Sequence, residues 1–182
     1  KIDIVCDCLG VAGGWTPAVH LFTQSGGKLT FDETNKVFLP NKYPSEQISV
    51  GSCNGDFKIK EIINNLSINL KEFLNIEKTD FDNVTVESED DNSKRNIWLL
   101  PSDKPLGKTK PFVDYQNDAT AKDIKLALRE GFRSIEHVKR YTTTGMGTDQ
   151  GKLGNMHALG IIADTADVKM GELGTTTFRP PY

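Results

Sequence analysis

Residues 120–166 are punctuated as three short helices, and this punctuation limits the fold more than any other part of the sequence. Thr120 and Asp123 stand at the spacing of a capping box, with Asp in place of the usual Glu or Gln. The segment "AKDIKLALREG" that follows ends on Gly131, a residue suited to the left-handed turn that closes a helix. Ser134 can cap a second helix, "IEHVKRY", and a third, "NMHALGIIADTA", begins at Asn155. Residues 112–167 are therefore expected to form a small all-α module of three helices around the loop between the last two. No internal repeat is evident.

That loop, with its approach "VKRYTTTGMGTDQGK" (residues 138–152), concentrates groups that bind anions. Lys139, Arg140, Thr142, Thr143, Thr144, Gln150 and Lys152 are all donors, and glycines at 145, 147 and 151 leave backbone N–H groups approachable. The third helix opens close behind, and the positive end of its dipole favours an anion. The loop is not a Walker P-loop. Three residues rather than four separate Gly147 from Gly151, and Leu153 stands where Ser or Thr is required. A nucleotide hydrolase is therefore disfavoured. The plainer alternative is a connection with solvated cations, because surface loops are rich in such residues.

The first 75 residues read as α/β. "IDIVCDCLGVAG" has the near-continuous apolar character of a strand covered on both faces, with Cys6 and Cys8 on one side of it as core thiols. The C-x-C pair has no second pair with which to complete a four-ligand metal site. "KLTF" and "KVFLP" form a hairpin about the turn "DETN". A strand over Ile48–Val50 leads through a Gly-Ser-Cys-Asn-Gly turn into a helix whose apolar face is Ile59, Ile62, Ile63, Leu66 and Leu70. Gly13, Gly14 and Gly51, with Asn54, either admit a cofactor to the backbone or serve tight turns. Residues 76–111, acidic and then proline-rich, read as a linker tied down by Trp98, Leu99 and Leu100. His20, His137 and His157 are far apart in sequence and are expected to be packing or surface residues.

Composition excludes several classes. A net charge of −3 over 182 residues argues against a dedicated nucleic-acid binder, and no apolar run approaches the ~20 residues of a membrane span. "KIDIVCDCLG" is not a signal peptide. The chain opens on Lys1 without an initiator Met, which reads as a piece of a longer polypeptide. Three cysteines make no disulfide framework, so a reducing, cytoplasmic compartment is expected.

"VDYQNDATAKDIKLALREGFRSIEHVKRYTTTGMGTDQGKLGN" resembles the segment of heterotetrameric sarcosine oxidase α subunits between the NAD-binding and folate-binding domains. "CDCLGVAGGWTPAVHLFTQSGGKL" and "GSCNG" resemble the closing part of the NAD-binding domain, and "GTTTFRPPY" resembles the entry into the folate-binding domain. The resemblance implies residues 1–75 as the end of a two-dinucleotide-type α/β domain, 76–111 as linker, 112–167 as the helical module and 168–182 as the folate-domain entry. It implies a flavoenzyme that oxidises sarcosine, with β, γ and δ partner subunits, FAD in the β subunit, NAD, tetrahydrofolate, and FMN between α and β. Lys139, Arg140, Thr142, Thr143, Thr144, Gln150 and Lys152 would then line the FMN, and Gly13, Gly14, Gly51 and Asn54 would belong to the NAD domain. The same helical module resembles the domain that holds a [2Fe–2S] cluster in related amine dehydrogenases. Asp114–Gln116 and Thr148–Asn155 stand where that domain has its cysteines, so no cluster is expected. The G-x-G-x-x-G fingerprint of a dinucleotide site is absent from the chain. Two other readings stay open: the α subunit of a related amine or imino-acid dehydrogenase, and a structural adaptor whose loop makes only protein contacts.

Overall fold

The structure, a computed structural model, describes residues 3–8, 10, 15–44, 46–86, 96–177 and 179. A short helix, α1 (His20–Gln24), leads into the antiparallel hairpin of β1 (Lys28–Asp32) and β2 (Val37–Lys42). The hairpin forms because Asp32 organises its turn. Its Oδ1 accepts the Thr34 N–H at 2.8 Å and the Asn35 N–H at 3.3 Å, and its Oδ2 accepts the Asn35 amide at 2.7 Å. Phe31 then meets Phe38 across the strands, ring centroids 4.9 Å apart. A 3-10 turn (Gly51–Asn54) precedes α2 (Ile59–Leu74), which the left-handed Asn75 closes. The following loop is clipped to α2 by Asp82, which accepts from the Ser67 hydroxyl and pairs with Lys71 Nζ at 2.7 Å. The Lys71 ammonium and then the Ser67 hydroxyl hold the Asp82 carboxyl well below the usual carboxylate range.

Three expectations need correction. Among the described residues neither 3–8 nor 48–50 is a strand. Ile4 and Val5 are fully or largely exposed, and so are Cys6 and Cys8, which are not core thiols. An apolar run becomes a two-sided buried strand only when neighbouring strands pair with it, and no described strand lies beside this one. The C-terminal module is also not all-α. After a short helix, α3 (Leu106–Thr109), it opens with a second small hairpin, β3 (Phe112–Asp114) and β4 (Ala119–Thr120).

The module continues through α4 (Ala121–Arg129), α5 (Ile135–Thr142), α6 (Asn155–Ala166) and α7 (Met170–Leu173). In α6 all six residues from Ala158 to Ala163 are buried, so it is the central helix, and α4 packs on it. Ile124, Val138, Leu159 and Ile162 centre the core, which also takes in Phe38 from the first hairpin and Met170 from α7. The apolar cluster thus extends beyond 112–167. Trp98 lies against Gly160, where a β-carbon would come within 2.2 Å of the indole, and with Leu99 it ties the linker to the core, whereas Leu100 is exposed. The apolar face of α2 is only half covered, and Ile59 is exposed.

The start of α4 is capped as the sequence suggests. Asp123 Oδ2 accepts both the Thr120 backbone N–H at 2.9 Å and its hydroxyl at 2.7 Å. Thr120→Ala should cost about 1 kcal/mol, read as a shift of the urea midpoint with unchanged slope. The helix ends before Gly131, whose φ of 99° is the left-handed turn expected of it.

Candidate functional site

The loop between α5 and α6 already holds an anion, and that anion is its own. Asp114, buried at the end of β3, reaches 31 residues along the chain to accept the Gly145 N–H at Oδ2, 2.7 Å away. Its Oδ1 accepts the Gln116 N–H at 2.8 Å and the Asn117 N–H at 3.1 Å. The Asn117 amide donates to Oδ2 at 3.3 Å and also to the Thr143 carbonyl at 3.2 Å. Burial pushes the Asp114 carboxyl upward, but the Gly145 N–H and then the Asn117 and Gln116 donors outweigh it, so the group sits below its ordinary value.

The threonines divide. The Thr142 hydroxyl donates to the Val138 carbonyl at 2.8 Å and shares a 2.8 Å bond with the Thr144 hydroxyl, and both side chains are buried. Their oxygens are turned into the module, so an external ligand has little call on them. Thr143, in the left-handed conformation that ends α5, is exposed. Lys139 is half-buried on the last turn of α5, while Arg140 is exposed beside Glu136 at 3.8 Å. Gln150 donates one amide hydrogen to the Gly147 carbonyl at 2.8 Å, and Lys152 is exposed.

Asn155 and Gln116 fill the interior of the loop. A β-carbon on Gly145 would stand 2.2 Å from Asn155 Oδ1, and one on Gly147 would stand 1.9 Å from Gln116 Oε1. Asn155 Nδ2 donates to Thr176 Oγ1 at 3.1 Å, and Gln116 Oε1 accepts the Thr148 hydroxyl at 3.3 Å. Segments 114–116 and 148–155 therefore do lie together, joined by the Thr148 hydroxyl and the Asp149 N–H, which both donate to Gln116 Oε1.

A cavity of about 110 Å³ lies where the N-terminal segment meets the closing half of the loop. Thr16, Pro17 and His20 line it on one side, and Gln150, Lys152 and Met156 line it on the other. Burial, and then the charge of Lys152, push the His20 imidazole below its ordinary value. Sequence reasoning singled out Gln150 and Lys152 but left His20 as a packing residue, because nothing local links position 20 to position 152. Gly51 and Asn54 sit elsewhere, in the 3-10 turn against α2, where a β-carbon on Gly51 would touch Ile62 at 3.6 Å. Gly13 and Gly14 lie outside the described residues. Trp98 and His157 meet edge to face at 6.0 Å, which is packing, and His137 is exposed.

Comparison with known proteins places this arrangement. The fold is shared with part of a solved oxidoreductase, the crystal structure of L-proline dehydrogenase from P. horikoshii, at a TM-score of 0.58 and 21% identity over 92% of this chain and 36% of that one. Residues 108–182 match the family model described as the sarcosine oxidase A3 domain. The chain is 38% identical over 191 aligned residues to sarcosine oxidase subunit alpha of Rhizobium meliloti (strain 1021), covering 98% of this chain and 18% of that protein. It is 34% identical over 186 residues to the subunit of the same name from Corynebacterium sp. (strain P-1), covering 97% and 19%. Residues 108–182 of the chain form a sarcosine oxidase A3 domain, and the chain is similar to sarcosine oxidase α subunits over nearly its whole length while spanning about a fifth of the length of the curated relatives it matches.

Arg140 and Lys152 are exposed and Lys139 is half-buried, and Met146 within the loop and Leu153 just after Lys152 expose apolar surface. The cavity beside the loop is well below the roughly 300–1,000 Å³ of pockets that engulf small molecules. The described residues around Gly51 make a 3-10 turn. No described helix is long and apolar enough to cross a membrane.

Proposed function

We propose that this chain is part of the α subunit of a multi-subunit flavoenzyme that oxidises sarcosine to glycine, with hydrogen peroxide and formaldehyde or methylenetetrahydrofolate as the other products. In this reading loop 139–152 is the α-side wall of an FMN site completed by a β subunit. NAD, FAD and tetrahydrofolate would be handled by parts of the assembly outside this chain's own described site. FMN, when bound, would supply electron transfer. The contribution of this chain is binding and electrostatics. Lys139, Arg140 and Lys152 would balance the phosphate or the negative charge of the reduced ring, which is the usual protein lever on a flavin. The second amide hydrogen of Gln150 would donate a hydrogen bond, and Thr143, whose hydroxyl gives its hydrogen to the Thr142 carbonyl at 2.6 Å, would have to turn to donate as well. The observation that carries the reading is that the loop's inward polar groups are satisfied within the module, by Asp114 from β3 and by Asn155, while Arg140 and Lys152 are exposed and Lys139 is half-buried.

The test is made on the assembled enzyme. Lys139→Ala and Thr143→Ala should lower the flavin recovered with the protein after acid precipitation, or slow flavin reduction about tenfold, the effect of ~1.4 kcal/mol. The visible spectrum before and after precipitation reads both. Unchanged flavin content and unchanged reduction kinetics in both variants would favour the adaptor reading, which the internal bonding of Thr142 and Thr144 also suits.

A further inference from the structure

The first hairpin leaves an edge open. Among the described residues β1 is paired with β2 alone, so the backbone groups on its other side join no ladder there. A cavity of about 470 Å³ runs beside it, lined by residues 27–31 in unbroken succession and by residues 174–177 after α7. On the face of a strand only every second residue shows, so an unbroken run means that the cavity follows the edge of β1. β2 lends it only Phe38, the cross-strand partner of Phe31. The two runs bound a slot in the place of a third strand, and residues 28–31 give it a length of ~13 Å.

The slot also has a sign and a sidedness. Leu29 and Phe31 pack against the core from one face of β1, while Lys28 and Thr30 are exposed on the other. Lys28 stands across from Lys42 in the hairpin register, an unfavourable pairing of like charges. Neither ammonium is ion-paired among the described residues, and no carboxylate lines the cavity. β2 is the poorer template for a further strand, because Pro40 has no N–H to give.

We propose that the slot takes an extended segment of a partner subunit as a third strand. A carboxylate of that segment sits beside Lys28 and Lys42, and its apolar side chains continue the face of Leu29 and Phe31. Strand addition supplies main-chain hydrogen bonds, and the two unlike faces supply selectivity. A second copy of this chain is not the occupant, because its own β1 edge lies walled within the same slot. The inference rests on the multi-subunit reading above and uses none of the loop residues 139–152.

The test uses the full-length enzyme complex with p-benzoylphenylalanine in place of the exposed Thr30. On illumination it should link to a segment of another subunit that alternates apolar residues with at least one Asp or Glu, as mass spectrometry of the linked peptide reads. Lys28→Glu combined with Lys42→Glu should lower the yield about tenfold, since like charges then meet in the slot. Both lysines are exposed, and an unchanged thermal midpoint shows that the double variant folds. Without the added group, amides of β1 that face away from β2 should exchange hydrogen about tenfold faster in the double variant than in the parent complex. Links confined to the subunit itself or to a second copy, or a yield and exchange rates that charge reversal leaves unchanged, overturn the proposal. If other subunits copurify and position 30 links to none of them, the slot reading alone fails. If no other subunit copurifies, the multi-subunit reading fails and the slot reading falls with it.

Discussion

Asp114→Ala should lower the free energy of unfolding by about 3 kcal/mol, the upper range for hydrogen bonds to a charged group. Four donors converge on that carboxylate, and the Gly145 N–H, itself buried, has no described substitute. The urea midpoint measures the loss. The same group gives a pH dependence with a definite sign. Its folded carboxyl titrates below the ordinary value of about 3.9, so its contribution is complete above that value and is lost as pH falls through the folded one. Asp32 and Asp82 are depressed as well, and both remain in the variant. The stability difference between the parent and Asp114→Asn therefore isolates Asp114, and it should shrink as the pH is lowered from neutrality through the ordinary value of about 3.9 toward the folded one. A difference that stays constant over that interval would mean the carboxylate charge does not hold the loop.

Gly154→Ala should cost about 2–3 kcal/mol, as overpacking of a tight contact does. Gly154 precedes α6 at an ordinary φ of −96°, so the backbone is not strained by a side chain. The obstacle is a carbonyl: a β-carbon there would lie 2.6 Å from the Val113 oxygen, and neither side of that contact is a flexible side chain. The added methyl must part β3 from the start of α6, which also moves Asp114, the next residue after Val113. Gly131→Ala is the control. Its φ of 99° disfavours a side chain, but open space surrounds it, so it should cost only about 1 kcal/mol. Equal urea midpoints for the two variants would show that the β3–α6 contact can yield.

Much of the site is legible in one small pattern that occurs twice. The hairpin turn "DETN" at 32–35 and "DYQN" at 114–117 have the same Asp-x-x-Asn spacing. Both place an Asp Oδ1 on the next two available N–H groups and an Asn amide on Oδ2, and both are followed by a residue at positive φ, Lys36 and Asp118. The second hairpin, and the correction to an all-α module, could have followed from that repetition. What the pattern does not contain is Gly145. The Asp114 carboxylate has room for one more donor, and only the folded loop supplies it. The donor-rich composition of 139–152 was likewise plain, but composition does not say which hydroxyls face inward.

Local chemistry alone determined the lengths of α2, α4 and α6, the first hairpin and the left-handed Gly131, because caps, turns and apolar spacing act within four or five residues. The tertiary structure decided everything that joins distant positions. It put Phe38 into the core of the helices, turned Thr142 and Thr144 into the module, filled the loop with Asp114, and brought His20 to Lys152. The apolar run at 3–8 makes the same point in reverse. Its residues are those of a buried strand, yet a strand is defined by hydrogen bonds to neighbours, and no residue can carry its neighbours in its own sequence.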